Sequence, residues 1–123
     1  MRSILAAAAL LAFAGCATSL PDLAGENQAN LVRLSPGMTK NQVVWIMGTT
    51  KAETRNGPVA NPFKIDNFQD KGGSQYEVLY YVTQRNRRGH PVSVADATPL
   101  VLKDGVLIGW GPQTLSKARN ASY

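Results

Sequence analysis

The chain has 123 residues, 44% of them hydrophobic, and a formal net charge of +5, which suits one domain with a packed core. Its single cysteine excludes an internal disulfide. One histidine, one cysteine and scattered carboxylates offer neither a metal cluster nor a nucleophile–base pair, so we expect no enzyme activity and no cofactor.

The N-terminus predicts an export signal that ends in a lipidated cysteine. An apolar run over residues 4–13 follows Arg2 and is shorter than the roughly 20 residues of a membrane-spanning helix. Small residues then precede Cys16, an order that resembles the bacterial lipobox, in which the cysteine becomes the first residue of the mature protein. We expect a signal peptide over residues 1–15 and a lipidated cysteine with a short tether over residues 16–21. Ordinary signal cleavage nearby, which would leave a plain secreted protein, is the alternative.

A first helix is predicted over residues 22–33, where apolar side chains recur at roughly helical spacing. Ser19 followed by Asp22 fits an N-terminal capping pattern. The Ser-Pro-Gly sequence at residues 35–37 ends this segment.

A second helix is predicted over residues 40–47. Thr39 and Gln42 have the spacing of a capping box, and Gly48 suits the end of the helix. A helix this short needs to pack its apolar stripe against another element. We expect Trp45 to take part in that packing.

The second half of the chain predicts strands. Residues 49–62 are rich in Gly, Pro and Asn and indicate a loop, and the tail over residues 113–123 is expected to fray or lie on the surface. Asp104 and Gly105 suit a type I′ hairpin turn. The predicted strands cover residues 63–68, 76–83, 99–103 and 106–110.

Helices followed by strands indicate an α+β fold, with two N-terminal helices packed on a three- to four-stranded antiparallel sheet in one domain over residues 22–112. A two-residue turn would pair Val101 with Ile108 and Leu102 with Leu107, on opposite faces of the sheet. Both faces are therefore apolar. The helices can cover one face, and a loop, the tail or a binding partner must cover the other.

The Gly-Met-Thr-Lys sequence at residues 37–40, Gln42-Val43 and Met47-Gly48 resemble the signature of the SmpA/OmlA (BamE-like) family of small outer-membrane lipoproteins. The order of lipobox, helix, Gly-Met-Thr helix, loop, aromatic strand and terminal hairpin is similar as well. The resemblance implies a helix pair on an antiparallel sheet and a non-enzymatic role through protein or lipid contact in the periplasm.

The candidate contact residues are basic or aromatic. Without the signal, 12 basic and 8 acidic side chains leave a net charge of +4. This charge favours binding to anionic surfaces, but it is equally consistent with a role in solubility alone. Arg85, Arg87, Arg88 and His90 form a basic cluster that also has two interpretations. It either contacts anionic lipid or an acidic partner, or it is a solvated loop. We expect the acidic Glu77 to pair across the sheet with Lys103 or Lys64. The candidate residues are Arg85, Arg87, Arg88, His90, Trp110 and Tyr81.

These patterns together predict an outer-membrane lipoprotein that faces the periplasm and serves as an accessory or scaffold in envelope assembly. Its expected contacts are the membrane, through the lipid anchor, and envelope assembly proteins or anionic lipid. We expect no nucleic acid partner and no small-molecule substrate. The alternative is a secreted or periplasmic inhibitor or ligand-binding module of similar fold.

Overall fold

The computed structural model describes residues 18–84 and 89–121. Cys16 and the basic residues Arg85, Arg87 and Arg88 lie outside the described residues. The model confirms the α+β class. Its elements form a three-stranded sheet, β1-β2-β3, and a four-stranded antiparallel sheet, β4-β5-β6-β7, and the described residues also include three α-helices.

The helices are α1 (Leu20–Leu31), α2 (Lys40–Met47) and α3 (Pro112–Asn120), and a 3-10 helix covers Val94–Asp96. The strands are β1 (Thr18–Ser19), β2 (Ala52–Thr54), β3 (Gly57–Val59), β4 (Lys64–Gln69), β5 (Gln75–Val82), β6 (Ala97–Lys103) and β7 (Val106–Trp110).

Helix α1 begins two residues before its predicted start because Ser19 caps it. The Ser19 hydroxyl accepts a hydrogen bond from the Asp22 N–H at 3.2 Å, and Pro21 occupies the first turn, where its missing N–H costs nothing. Residues 18–21, assigned from the sequence to the tether, therefore belong to β1 and α1.

Helix α2 has its predicted bounds, and its capping box is confirmed. The Gln42 N–H donates to the Thr39 hydroxyl at 3.3 Å, and the Thr39 N–H donates to the Gln42 side chain at 2.9 Å. Gly48 ends the helix with a φ of 76°, a backbone angle that other residues rarely adopt.

The prediction of a loop over residues 49–62 is wrong, because β2 and β3 lie within it. Ala52 pairs with Val59 across the β2–β3 hairpin and with Thr18 of β1 in parallel. Strands of two or three residues are too short to show the alternation by which a strand is recognised. The parallel partner also lies far away in the sequence.

The β6–β7 hairpin turns at Asp104 and Gly105, whose φ angles of 50° and 81° are the positive pair of a type I′ turn. Leu102 pairs with Leu107 as predicted. Val101 pairs with Gly109 and not with Ile108, because the register shifts between Val101 and Leu102. Ile108 is the extra residue of this bulge and is 41% exposed.

One face of the four-stranded sheet contributes to the main core. Strand alternation directs Leu79 and Tyr81 of β5 and Leu100 and Leu102 of β6 to this face. The buried residues of the cluster are Leu31, Leu34, Val43, Met47, Leu79, Tyr81, Leu100, Leu102 and Leu107.

The opposite face of the sheet packs against α3. Ala118 is 5% exposed and clusters with Tyr76 and Val101, and Leu115, one helical turn earlier, packs against the same cluster. Of the two outcomes predicted for residues 113–123, fraying is wrong up to Asn120, because these residues form a helix on the surface of the sheet. The second apolar face of the sheet is covered by this tail, one of the possibilities that the sequence left open.

Two buried amide side chains join the helices to the sheet. Asn27 and Asn61 exchange two hydrogen bonds, at 2.9 and 3.1 Å. Asn27 also donates to the Val82 carbonyl at 2.9 Å, and Asn61 to the Met47 carbonyl at 3.4 Å. The pair thereby links α1, the end of α2, the end of β5 and the segment before β4.

We predict that Asn27→Ala lowers the free energy of unfolding by about 1–3 kcal/mol, because it removes both hydrogen bonds between the two amides and the bond to the Val82 carbonyl in the interior. Urea denaturation measures this change. Gln28→Ala, at an exposed position of the same helix, is the matched control and should change the stability little. Equal losses of unfolding free energy in the two variants would show that the hydrogen bonds of the amide pair do not stabilise the fold.

Candidate functional site

The most exposed aromatic side chain among the described residues is Trp45 of α2, at 85%. The prediction that it packs in the core is wrong. Val43 and Met47 are four residues apart and both face the core, so a residue midway between them points roughly 200° away, toward solvent. The helical period thus overrides the hydrophobicity of the indole.

Shallow apolar grooves flank the Trp45 indole. Met38 and Ile46, both partly buried against the main core, line one groove of about 430 Å³ together with Trp45. A second groove of about 640 Å³ lies between Trp45, Val44 and the turn at Gly48 and Thr49. We call Trp45 and its two grooves the Trp45 surface. Amide side chains and Lys40 form its rim, the combination of apolar centre and polar edge found at protein interfaces.

The backbone before α2 is bonded to strand β7. The Gly37 N–H donates to the Leu107 carbonyl and the Leu107 N–H to the Met38 carbonyl, both at 2.8 Å. The Lys40 N–H also donates to the Gly105 carbonyl at 3.2 Å. These bonds fix the start of α2 on one edge of the sheet, so the Trp45 surface is held by main-chain contacts.

Lys40 forms an ion pair with Glu77 of β5, with a nitrogen–oxygen distance of 3.0 Å. The prediction that Glu77 pairs with Lys103 or Lys64 is therefore wrong. Glu77 lies on the same face of β5 as Leu79, the face that contributes to the main core. The ion pair adds a side-chain contact between α2 and the sheet, and its partly exposed position makes that contact a modest one.

Of the candidate residues predicted from the sequence, Trp110, Tyr81 and His90 do not line this surface. Trp110 is half-buried and packs against the main core, and Tyr81 is completely buried within it, so Tyr81 is not available to a partner. His90 is exposed. The remaining candidates, Arg85, Arg87 and Arg88, lie outside the described residues.

Neither metal ligation nor membrane crossing is evident in residues 18–84 and 89–121. These residues contain no group of three or more His, Cys, Asp or Glu side chains placed to hold a metal ion. None of the helices they form has both the length and the apolar character to traverse a bilayer.

Residues 21–117 match the model of a family described as "Protein of unknown function (DUF3192)". The chain belongs to the DUF3192 family. No curated protein and no solved structure matches it. The DUF3192 match runs from the first turn of α1 into α3 and includes the whole of the Trp45 surface.

The buried Tyr81 hydroxyl supplies a prediction about stability. No hydrogen-bond partner reaches it within the described part of this DUF3192 chain, and burial raises the pKa of Tyr81 to about 12. Tyr81→Phe removes a polar atom whose burial is not compensated, so the free energy of unfolding should rise by about 1 kcal/mol at pH 7. Urea denaturation of both proteins measures the difference.

The stability advantage of the Tyr81→Phe variant should widen above pH 10. In the unfolded chain Tyr81 ionises near its ordinary pKa of 10.0, and in the folded chain it stays protonated to about pH 12. The wild type therefore loses up to about 2–3 kcal/mol between these two pH values, and the variant lacks this loss. Tyr80, whose pKa is also raised by burial, contributes equally to both proteins. A constant difference across this range would contradict the prediction.

Proposed function

We propose that the protein is an outer-membrane lipoprotein whose domain faces the periplasm and acts, without catalysis, as an accessory or scaffold in envelope assembly. The exposed indole of Trp45 carries the proposal. Tryptophan is enriched at the few positions that supply most of the binding energy of protein interfaces. A partner protein that covers Trp45 would gain the burial of a large aromatic ring.

The way α2 is held supports protein binding. Its capping box, its backbone bonds to β7 and its ion pair to Glu77 hold the helix in place before any partner arrives. A surface that is already ordered loses little conformational entropy on binding, and this favours affinity. Because Val43 and Met47 anchor the other side of the helix, Trp45 contributes to binding without being needed for folding.

The resemblance to the SmpA/OmlA family supports the choice of partner. Residues 37–48, which carry the resemblance, form the β7 contact, the capping box and the helix that presents Trp45. Side chains of α1, α2 and one sheet face share the main core, which supports a BamE-like packing of the N-terminal helices. We therefore infer that the partner is a subunit of the outer-membrane β-barrel assembly machinery. Arg85, Arg87 and Arg88 are assigned a supporting contact with anionic lipid from the sequence alone.

We predict that Trp45→Ala reduces the recovery of barrel-assembly subunits from detergent-solubilised envelopes by roughly tenfold or more, since a hot-spot aromatic contributes about 2 kcal/mol. Quantitative mass spectrometry of affinity-purified complexes measures the recovery. Thermal unfolding should be nearly unchanged because the side chain is exposed.

Val32→Ala is the matched control for this experiment, because Val32 is an apolar residue with the same 85% exposure that lies outside α2. It should leave recovery intact. A photo-crosslinking amino acid at position 45 should give adducts with the partner that the same group at position 32 does not give. Equal recovery with the two alanine variants would contradict the proposal.

We predict that the mature protein begins at an acylated Cys16. Intact-mass and peptide mass spectrometry of the protein isolated from membranes should show an N-terminal cysteine carrying lipid. Cys16→Ser should accumulate as an unprocessed precursor. An unmodified N-terminus in the wild type would overturn the lipoprotein proposal and favour the secreted alternative.

A further inference from the structure

A second concave surface lies on the α3 side of the four-stranded sheet, away from Trp45. It has a volume of about 580 Å³ and is bordered by β4, the 3-10 helix and α3. Small-molecule sites typically have such volumes and combine an apolar lining with a few convergent polar groups. We call it the Tyr80 cleft.

The polar wall of the Tyr80 cleft is a cluster of four side chains. The Tyr80 hydroxyl donates to an Asp66 carboxylate oxygen at 3.2 Å and accepts from the Arg119 guanidinium at 3.3 Å. Lys64 and Arg119 each lie 3.6 Å from that same Asp66 oxygen. Two cations therefore share one carboxylate, and the cluster has a net charge of +1.

The two cations have donors to spare for a ligand. An ammonium has three N–H donors and a guanidinium has five, whereas these contacts engage one carboxylate oxygen and one hydroxyl. The contacts are also longer than the roughly 2.7–2.9 Å of strong charged hydrogen bonds. The Lys64 and Arg119 side chains are 46% and 47% exposed, so a ligand in solution can reach both side chains.

Apolar side chains border the same cleft. Val94 of the 3-10 helix, which is 45% exposed, and Leu115 of α3 are among its lining residues, beside the polar Gln84, Thr98 and Ser116. A ligand that meets both the charged cluster and these apolar side chains has an anionic head and an apolar body. The net charge of +1 attracts an anionic head, and a single negative charge on the ligand neutralises it.

We propose that the Tyr80 cleft binds a small organic monocarboxylate whose carboxylate bridges Lys64 and Arg119 and whose apolar body lies against Val94 and Leu115. The planar fork of the guanidinium matches a carboxylate. This site is independent of the Trp45 surface and of the lipid anchor.

The test uses the full chain in phosphatidylcholine nanodiscs, titrated with hexanoate and followed by nuclear magnetic resonance of the backbone amides and the Arg119 side chain. Saturable shifts confined to β4, the 3-10 helix and α3 are expected. Hexanamide, which lacks the charge, and acetate, which lacks the apolar body, should each bind roughly tenfold more weakly or worse. Absence of saturation with hexanoate, or equal binding of hexanamide, would overturn the proposal.

Charge variants distinguish a specific binding site from nonspecific electrostatic attraction of anions. Arg119→Gln should weaken hexanoate binding by roughly tenfold or more, whereas Arg33→Gln, which removes an exposed cation after α1, should not. Asp66→Asn raises the cluster charge to +2, so it should bind hexanoate at least as well as the wild type and bind inorganic phosphate more tightly than the wild type does. Because a damaged fold cannot bind more tightly, this gain distinguishes recognition from misfolding. Equal weakening by Arg119→Gln and Arg33→Gln, or a loss of binding in Asp66→Asn, would contradict the assignment.

Discussion

The reciprocal amide pair of Asn27 and Asn61 is the interaction on which the position of the helices depends. Each amide bonds to the other and also donates to a main-chain carbonyl, at the end of β5 or at the end of α2. Buried polar groups are tolerated only when they are paired in this way. Packed aliphatic side chains permit small shifts of one element against another, but four directional hydrogen bonds do not. The pair therefore ties Met47, the last residue of α2, to α1 and to the end of β5.

The alternation of side chains along β5 places neighbouring residues on opposite faces of the sheet. Tyr81 points into the main core, which also contains Val43 and Met47 of α2. Its neighbour Tyr80 points to the α3 side, where it lines a cleft. The two tyrosines are adjacent in the sequence but separated by the sheet. The surface proposed for a protein partner and the cleft proposed for a small acid can therefore be altered separately.

The elements that were predicted correctly from the sequence are those with local sequence signals. The capping box of Thr39 and Gln42 with Gly48 defines α2 within ten residues, and Asp104 with Gly105 defines the last hairpin. Features that depend on distant partners escape prediction. β1 exists because it pairs with β2 more than thirty residues later, and α3 because Leu115 and Ala118 meet an apolar sheet face. Neither long-range contact produces a recognisable local pattern in the sequence.

The candidate sites were predictable to different degrees. The exposure of Trp45 follows from its place midway between two core residues, a signal available in the sequence but outweighed there by the hydrophobicity of the indole. The Tyr80 cleft could not have been inferred, because Lys64, Asp66 and Tyr80 lie on two strands and Arg119 lies on a helix that the sequence did not predict. The buried position of Tyr81 depends on which face of the sheet contributes to the main core, and aromatic content alone does not decide that.

The pairing of β1 with β2 has a consequence for a protein held at a bilayer. Only Ala17 separates Cys16 from Thr18, which pairs with Ala52. Two residue steps of extended chain span at most about 7 Å, so an acylated Cys16 would hold the smaller sheet almost against the lipid headgroups. The domain could then turn about the membrane normal but could not rise from the surface. Its height above the bilayer would be set, and every partner would have to meet it at that one level.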